Sequence, residues 1–359
     1  MNENEISDKR NAKEFRGMTF SKFKKTDAKK ELLNSLLNGK IEPSCYWSAE
    51  YICAGHFLEL WDIIILFISK YIHLGNPKLP LYIQMRFENF KDIVVNGYID
   101  NELKMRNNNK IRKLFAEIIS ILCLSNKKHT LSPIKIGKND FNLPELTDKL
   151  KADSINYVNR IYLSGDPKEL YIALNEFAYN LSNKSNNTIQ CCYWLEWIIE
   201  FEAKCKKERK QTLVCVTRQI ANVENKFQKD IIWMIWEILL LEASNRGNTI
   251  KKIVNALLSI FSIKYKSGCK KRRRYIIYNA ISIITEVANL NIPIFNNENK
   301  IEAVKGKINI IYKQIKKNEI KPATDYLFNN SFTGSDKNLE NTIQKLDKMN
   351  NMLYIPRDK

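Results

Sequence analysis

The chain has 359 residues, 44% of them hydrophobic and 27% charged, which excludes wholesale disorder and a fibrous repeat and leaves ample material for a packed core. Eleven glycines and nine prolines are too few to turn the strands of a large sandwich or barrel, so the expected fold class is all-α, a multi-helix bundle or a degenerate helical-repeat array of about ten to twelve helices. Lysine and arginine total 58 against 39 acidic residues, a net charge of +19 that points to an anionic partner or surface.

Residues 1–25 are polar and highly charged, with Phe15, Phe20 and Phe23 as their few apolar anchors, and read as a flexible basic arm. An N-terminal helical domain is expected over 26–124. It opens with a short helix from Asp27 to Leu37 stopped by Gly39, a second helix from Ser48, and a third from Phe57 to Ile72 that is apolar nearly all round, the mark of a central helix. Two more follow at 78–94 and 111–124. Pro133, Gly137 and Pro144 then interrupt the pattern, so 125–144 reads as a linker, with Ile134-Lys135-Ile136 alternating as one edge strand would. The C-terminal helical domain, 145–320, carries predicted helices at 145–162, 167–181, 189–208, 227–243, 249–263, 273–290 and 300–317. Residues 321–359 are Asn-, Ser- and Lys-rich and read as a loosely attached polar tail with one weak amphipathic stretch at 336–349.

The most apolar runs, Ile63 to Ile68 and Ile231 to Leu241, are six and eleven residues long, well short of the roughly 20 needed to cross a bilayer, so no transmembrane segment is predicted. Eight cysteines lie mostly within apolar runs, without a disulfide framework, which suits a reducing compartment. Three internal echoes read either as helix starts that reuse the same chemistry or as a degenerate array of helical units. Gly75-Asn76-Pro77-Lys78 resembles Gly165-Asp166-Pro167-Lys168, with Asn or Asp placed to cap a helix. The run Lys110 to Phe115 resembles Lys271 to Ile276, each a basic cluster opening an apolar helix, and Trp194-x-x-Trp197 resembles Trp233-x-x-Trp236. Both tryptophan pairs stand on one helix face among Ile and Leu, the pattern of a core.

No phosphate-cradling glycine loop and no nucleophile elbow occurs, and His56, His73 and His129 sit in no nucleophile–base spacing. Glu50, Glu59 and Asp62, the acids nearest the apolar block 48–72, read as helix caps and solvating groups. Cys53-x-x-His56 and Cys191-Cys192 lack a second pair with which to complete a zinc site. The chain is therefore expected to be non-enzymatic, with no cofactor and no metal.

The basic clusters carry the functional signal. Lys264, Lys266, Lys270, Lys271, Arg272, Arg273 and Arg274 fall within eleven residues, and no acid follows before Glu286. A second cluster holds Lys104, Arg106, Lys110, Arg112 and Lys113; a third holds Lys204, Lys206, Lys207, Arg209 and Lys210. Positive charge at an already positive helix N-terminus opposes folding but forms an anion site. Arginine is scarce, 13 residues in all, and guanidinium groups grip phosphate bidentately. Lys270 to Arg274 is therefore the expected principal anion site.

The block Ser48 to Trp61, Ser-Ala-Glu-Tyr-Ile-Cys-Ala-Gly-His-Phe-Leu-Glu-Leu-Trp, with Ile72-His73-Leu74-Gly75-Asn76-Pro77-Lys78-Leu79-Pro80, resembles uncharacterised proteins encoded by nucleocytoplasmic large DNA viruses of algae and other protists. The likeness extends over roughly 45–290 through Asp166 to Tyr171, Lys229 to Glu237 and Lys271 to Glu286. The 41 asparagines and the excess of Lys over Arg suit the A/T-rich genome such a source implies. The resemblance implies a setting, the viral factory in host cytoplasm or the virion, and no site residue. Two functions fit the charge: binding nucleic acid without strong sequence preference, in replication, transcription or genome packaging, or serving as a minor capsid or other virion protein that bridges capsid and internal membrane. The partners expected are nucleic acid or another anionic surface (lipid headgroups, acidic capsid protein) and other viral proteins.

Overall fold

The computed structural model describes residues 3–97, 101–208, 210, 212–295 and 297–319. Among these the chain is all-helical, with fourteen α-helices: α1 Lys25–Leu37, α2 Ile41–Cys53, α3 Phe57–Phe67, α4 Leu79–Val95, α5 Glu102–Asn107, α6 Asn109–Leu124, α7 Leu143–Thr147, α8 Tyr171–Leu181, α9 Thr188–Glu208, α10 Ile232–Arg246, α11 Asn248–Ser262, α12 Cys269–Arg272, α13 Arg274–Thr285 and α14 Glu298–Lys316. The tail 321–359 and its stretch 336–349 lie outside the described residues.

The helices form where periodicity and caps coincide. In α6 the Asn108 carbonyl oxygen of the side chain accepts the N–H groups of Lys110 and Ile111 at 2.8 and 3.1 Å, satisfying two orphan donors of the first turn, and Ile111, Leu114, Phe115, Ile118, Ile119 and Leu122 bury one face. Helix α13 is the central one: every residue from Ile276 to Ile284 is buried, against α3, α8, α9, α10 and α11. Trp194, Trp197, Trp233 and Trp236 are all core residues.

Helix α3 stops at Phe67 and passes into one π turn, Ile68–Ile72, and a 3₁₀ turn, His73–Gly75, where His73 takes a φ of 47°. The predicted helix to Ile72 thus ends in a wider turn, whose extra residue shifts the carbonyl register. Segment 125–144 contains no strand at 134–136. It is fastened along the π turn instead, with Lys128 N–H donating to Ile72 O and Thr130 N–H to Lys70 O. The approach is so close that a Cβ on Gly75 would lie 2.4 Å from Asn126 O, which leaves glycine as the one residue that fits.

The described residues up to Asn318 form one compact unit, with no division at 125–144. Helix α4 packs on α11 and the last helix, α14, returns onto α2 and α6, interlocking the halves expected as separate domains. The helix predicted at 145–162 is also absent beyond α7. Its backbone is captured by buried side chains of α8: Glu176 accepts from Lys151 and Ala152 N–H, and Asn175 bonds Tyr157 N–H and Ser154 O. These bonds replace the helical ladder. Likewise α10 starts at Ile232, because Cys215 and Arg218 N–H reach the carbonyls of Lys229 and Gln228. In the first echo Asn76 and Asp166 cap no helix; Asn76 donates to Ile294 O and Asp166 binds Arg218.

Residues 3–25, expected as a free arm, are packed where they are described. Ile6, Phe15 and Phe20 are buried. Asn107 pairs with both backbone groups of Ile6 at 2.8 Å, Glu102 accepts Ala12 N–H, and Glu50 accepts the Ser21 N–H and hydroxyl. Phe15 lies between two guanidinium groups, Arg10 at 4.3 Å and Arg106 at 5.4 Å from its ring centroid. Phe15→Ala is accordingly expected to lower the unfolding free energy in urea by about 3 kcal/mol. A change within about 0.5 kcal/mol, typical of an uncoupled surface position, would return this segment to a free arm.

Candidate anion-binding surface

The cluster Lys264 to Arg274 divides between interior and surface. Lys270 is buried, its Nζ 2.5 Å from Glu202 and 2.8 Å from Asp230, while Tyr265 donates its hydroxyl to the other Asp230 oxygen at 2.9 Å. Lys271 pairs with Glu200. Arg273 donates to Phe261 O, Ile263 O and Asp62, and Arg274 to Glu196, which also accepts from Tyr278. Burial pushes the carboxyls of Glu196 and Glu202 above the ordinary carboxylate range despite the opposing pull of Arg274 and Lys270. The expected principal site is therefore largely spent on the fold: Lys270, Lys271, Arg273 and Arg274 hold α12 and the start of α13 to α9, α3 and the 213–231 segment. Lys264, Lys266 and Arg272 stay exposed and form no ion pair among the described residues.

The Lys104 to Lys113 cluster divides the same way. Arg106 is buried against Glu102 and reaches Asp8 O at 3.5 Å. Arg112 is buried over the Tyr312 ring at 3.9 Å and donates to Arg106 O, Asn4 O and Asn107. A Cβ on Gly55, which has φ +76°, would meet a Glu102 oxygen at 1.9 Å, so this glycine is what lets the Glu102–Arg106 pair close. Lys104, Lys110 and Lys113 face solvent.

In the third cluster Lys204 lies over the Phe141 ring at 4.7 Å. Lys206 and Lys207 are exposed on the last turn of α9, the end of a helix that favours cations. Lys210 is exposed, and Arg209 lies outside the described residues.

Of the exposed cations, Lys104, Lys110, Lys264 and Lys266 border two concavities that share α4 as a common wall. One, about 890 Å³, is lined by Lys104 and Lys110 with Asn89, Asn96, Asn108 and Asn109 and by the acids Glu5 and Asp92. The other, about 610 Å³, is lined by Lys91, Lys264 and Lys266, by Phe87, Phe90 and Val94 and by the acids Glu88 and Glu224. Lys91 of α4, which belongs to no run and was not singled out in the sequence, is paired with Glu88 at 2.7 Å. Elsewhere His56 Nε2 lies 2.9 Å from Met18 O, all eight cysteines are buried, and among the described residues no three His, Cys, Asp or Glu side chains converge as a metal site would require. Among those residues no helix is long and apolar enough to cross a membrane.

Comparison with protein-family models, with curated proteins and with solved structures gives no match to this chain.

The division of the cations is directly measurable. Lys270→Met leaves Asp230 and Glu202 buried without their shared counter-charge and is expected to cost about 3–5 kcal/mol of stability, whereas Lys264→Gln with Lys266→Gln should leave the urea midpoint in place. Equal midpoints for the two variants would contradict the assignment.

Proposed function

We propose that the protein is a non-enzymatic component of a large DNA virus that binds nucleic acid through its phosphates, without strong sequence preference, in replication, transcription or genome packaging. The observation that supports this reading is the set of exposed lysines that form no ion pair among the described residues on the two flanks of α4: Lys104 and Lys110 on one side, Lys264 and Lys266 on the other. A cation that supports no internal contact is free to displace counterions from a phosphate backbone. Lysine, as a mobile point charge, suits backbone contact better than base readout.

A second reading, a virion protein that docks on an acidic capsid component, is favoured by the apolar lining of the Lys264 groove, where Leu58 and Val95 are 40% and 63% exposed.

Fluorescence anisotropy with labelled oligonucleotides of unrelated sequence, over a range of salt, separates the two. Nucleic-acid binding predicts similar affinities across sequences, and a Lys104→Gln, Lys110→Gln, Lys264→Gln, Lys266→Gln variant with a salt slope shallower by up to about 3–4 units, or about 0.9 per lost phosphate contact. A folded variant with unchanged affinity and unchanged slope would leave the docking reading ahead.

A further inference from the structure

A narrow cleft of about 110 Å³ opens between α1, α3 and the α12–α13 corner, lined by Lys29, Asp62, Ser69, Arg272, Arg273 and Tyr275 among others. Three separate elements bring cations to it. Lys29 of α1 is exposed and has no ion pair among the described residues. Arg272 forms no ion pair among the described residues, and its Nη2 lies 3.3 Å from Cys269 Sγ. Arg273 is fixed in place by Phe261 O and Ile263 O, at 2.7 and 2.6 Å, and by Asp62 at 3.0 Å. Asp62 is the one acid of the lining, so three cations against one carboxylate leave two positive charges. Lys70, 5.3 Å from the Tyr275 ring centroid, adds to the positive field.

Ser69 is fully buried, and its hydroxyl has no partner among the described residues. A serine in a helix ordinarily returns its proton to the carbonyl four residues back, as Ser120 does to Ala116 O and Ser262 to Leu258 O. Ser69 belongs to the π turn Ile68–Ile72, where that register is displaced, so a donor is left beneath the cations. The volume is well below the roughly 300–1,000 Å³ of sites that enclose whole small molecules. It suits a single tetrahedral oxyanion.

We propose that this cleft takes one terminal phosphate group, a phosphomonoester at the end of a nucleic-acid strand. Lys29 and Arg272 supply the charge-assisted bonds, Arg273 the fixed wall and the Ser69 hydroxyl a donor at the floor. A terminal phosphate offers three free oxygens on one ester link and can enter a narrow opening end-on; an internal phosphodiester would have to bring two sugar arms with it. This deepens the nucleic-acid reading, on which the choice of a strand as the phosphate carrier rests.

The test compares one single strand carrying a phosphate at its 5′ end, at its 3′ end or at neither, by anisotropy, with inorganic phosphate as competitor and as titrant in calorimetry. The wild-type protein is expected to bind a phosphorylated end at least about tenfold more tightly than the bare strand, the scale of one or two charge-assisted hydrogen bonds, and inorganic phosphate should erase that preference. Lys29→Gln with Arg272→Gln, both at the surface, should abolish the preference while leaving bare-strand affinity nearly unchanged, and Ser69→Ala should reduce it several-fold. Strands that bind equally well with or without a terminal phosphate, with inorganic phosphate inert, would overturn the cleft and spare the nucleic-acid reading. Inorganic phosphate that binds to a protein retaining none of the three strands would uphold the cleft and overturn that reading.

Discussion

A guanidinium or ammonium group removed from water must find its acceptors inside the protein, and four such groups organise this chain. Arg106 and Arg112 hold residues 3–25 onto α5 and α6, and Lys270 holds the α12 corner to α9 through Glu202 and Asp230. Arg218 holds the two irregular stretches together: it donates to both oxygens of Asp166 at 2.8 and 2.7 Å, to Ile161 O, to Val216 O and to Glu237. Burial alone would raise the Asp166 carboxyl. The bonds it accepts from Arg218 and from the Leu163 and Val216 N–H groups outweigh that and hold it below the ordinary carboxylate range. The segments so tied place few apolar residues in the core; from 148 to 165 the one buried apolar side chain is Val158.

The same constraint decides what is left for function. A cation whose acceptors are all protein oxygens is unavailable to a ligand, so density of positive charge along the sequence is a poor guide to an anion site. Arg273 and Arg274, the strongest candidates by residue type, are among the most committed. The lysines with no ion pair among the described residues do not mark themselves out by number: Lys104 and Lys110 alternate with buried Arg106 and Arg112, and Lys264 and Lys266 precede buried Lys270. What sets them apart is position on α4's two flanks.

Helix content was legible because it is written in local periodicity: α6, α8, α9, α11 and α14 lie within a few residues of where apolar spacing puts them. Two kinds of feature were not legible. The stretch 145–162 has the composition of a helix, yet its N–H groups are taken by Glu176 and Asn175, over 18 to 25 residues of sequence. The fate of the buried cations depends on still more distant partners, Asp8 for Arg106 and Asn4 for Arg112 across 98 and 108 residues, and no short window contains them. Lys29 and Ser69 gave no signal at all, since one is an ordinary surface lysine of α1 and the other a serine whose significance comes from the π turn around it.

Two residues of α6, two positions apart in a single basic run, allow the sharpest measurement: urea unfolding and oligonucleotide affinity, determined together for Arg112→Met and Lys110→Met. Arg112 is buried over Tyr312 and bonded to three protein oxygens, whereas Lys110 is exposed on a groove. Arg112→Met should lower the unfolding midpoint substantially and leave the affinity and salt slope of the folded protein unchanged, while Lys110→Met should do the reverse. Wild-type stability in Arg112→Met, or an equal loss of affinity in both, would contradict the separation of structural from ligand-binding cations.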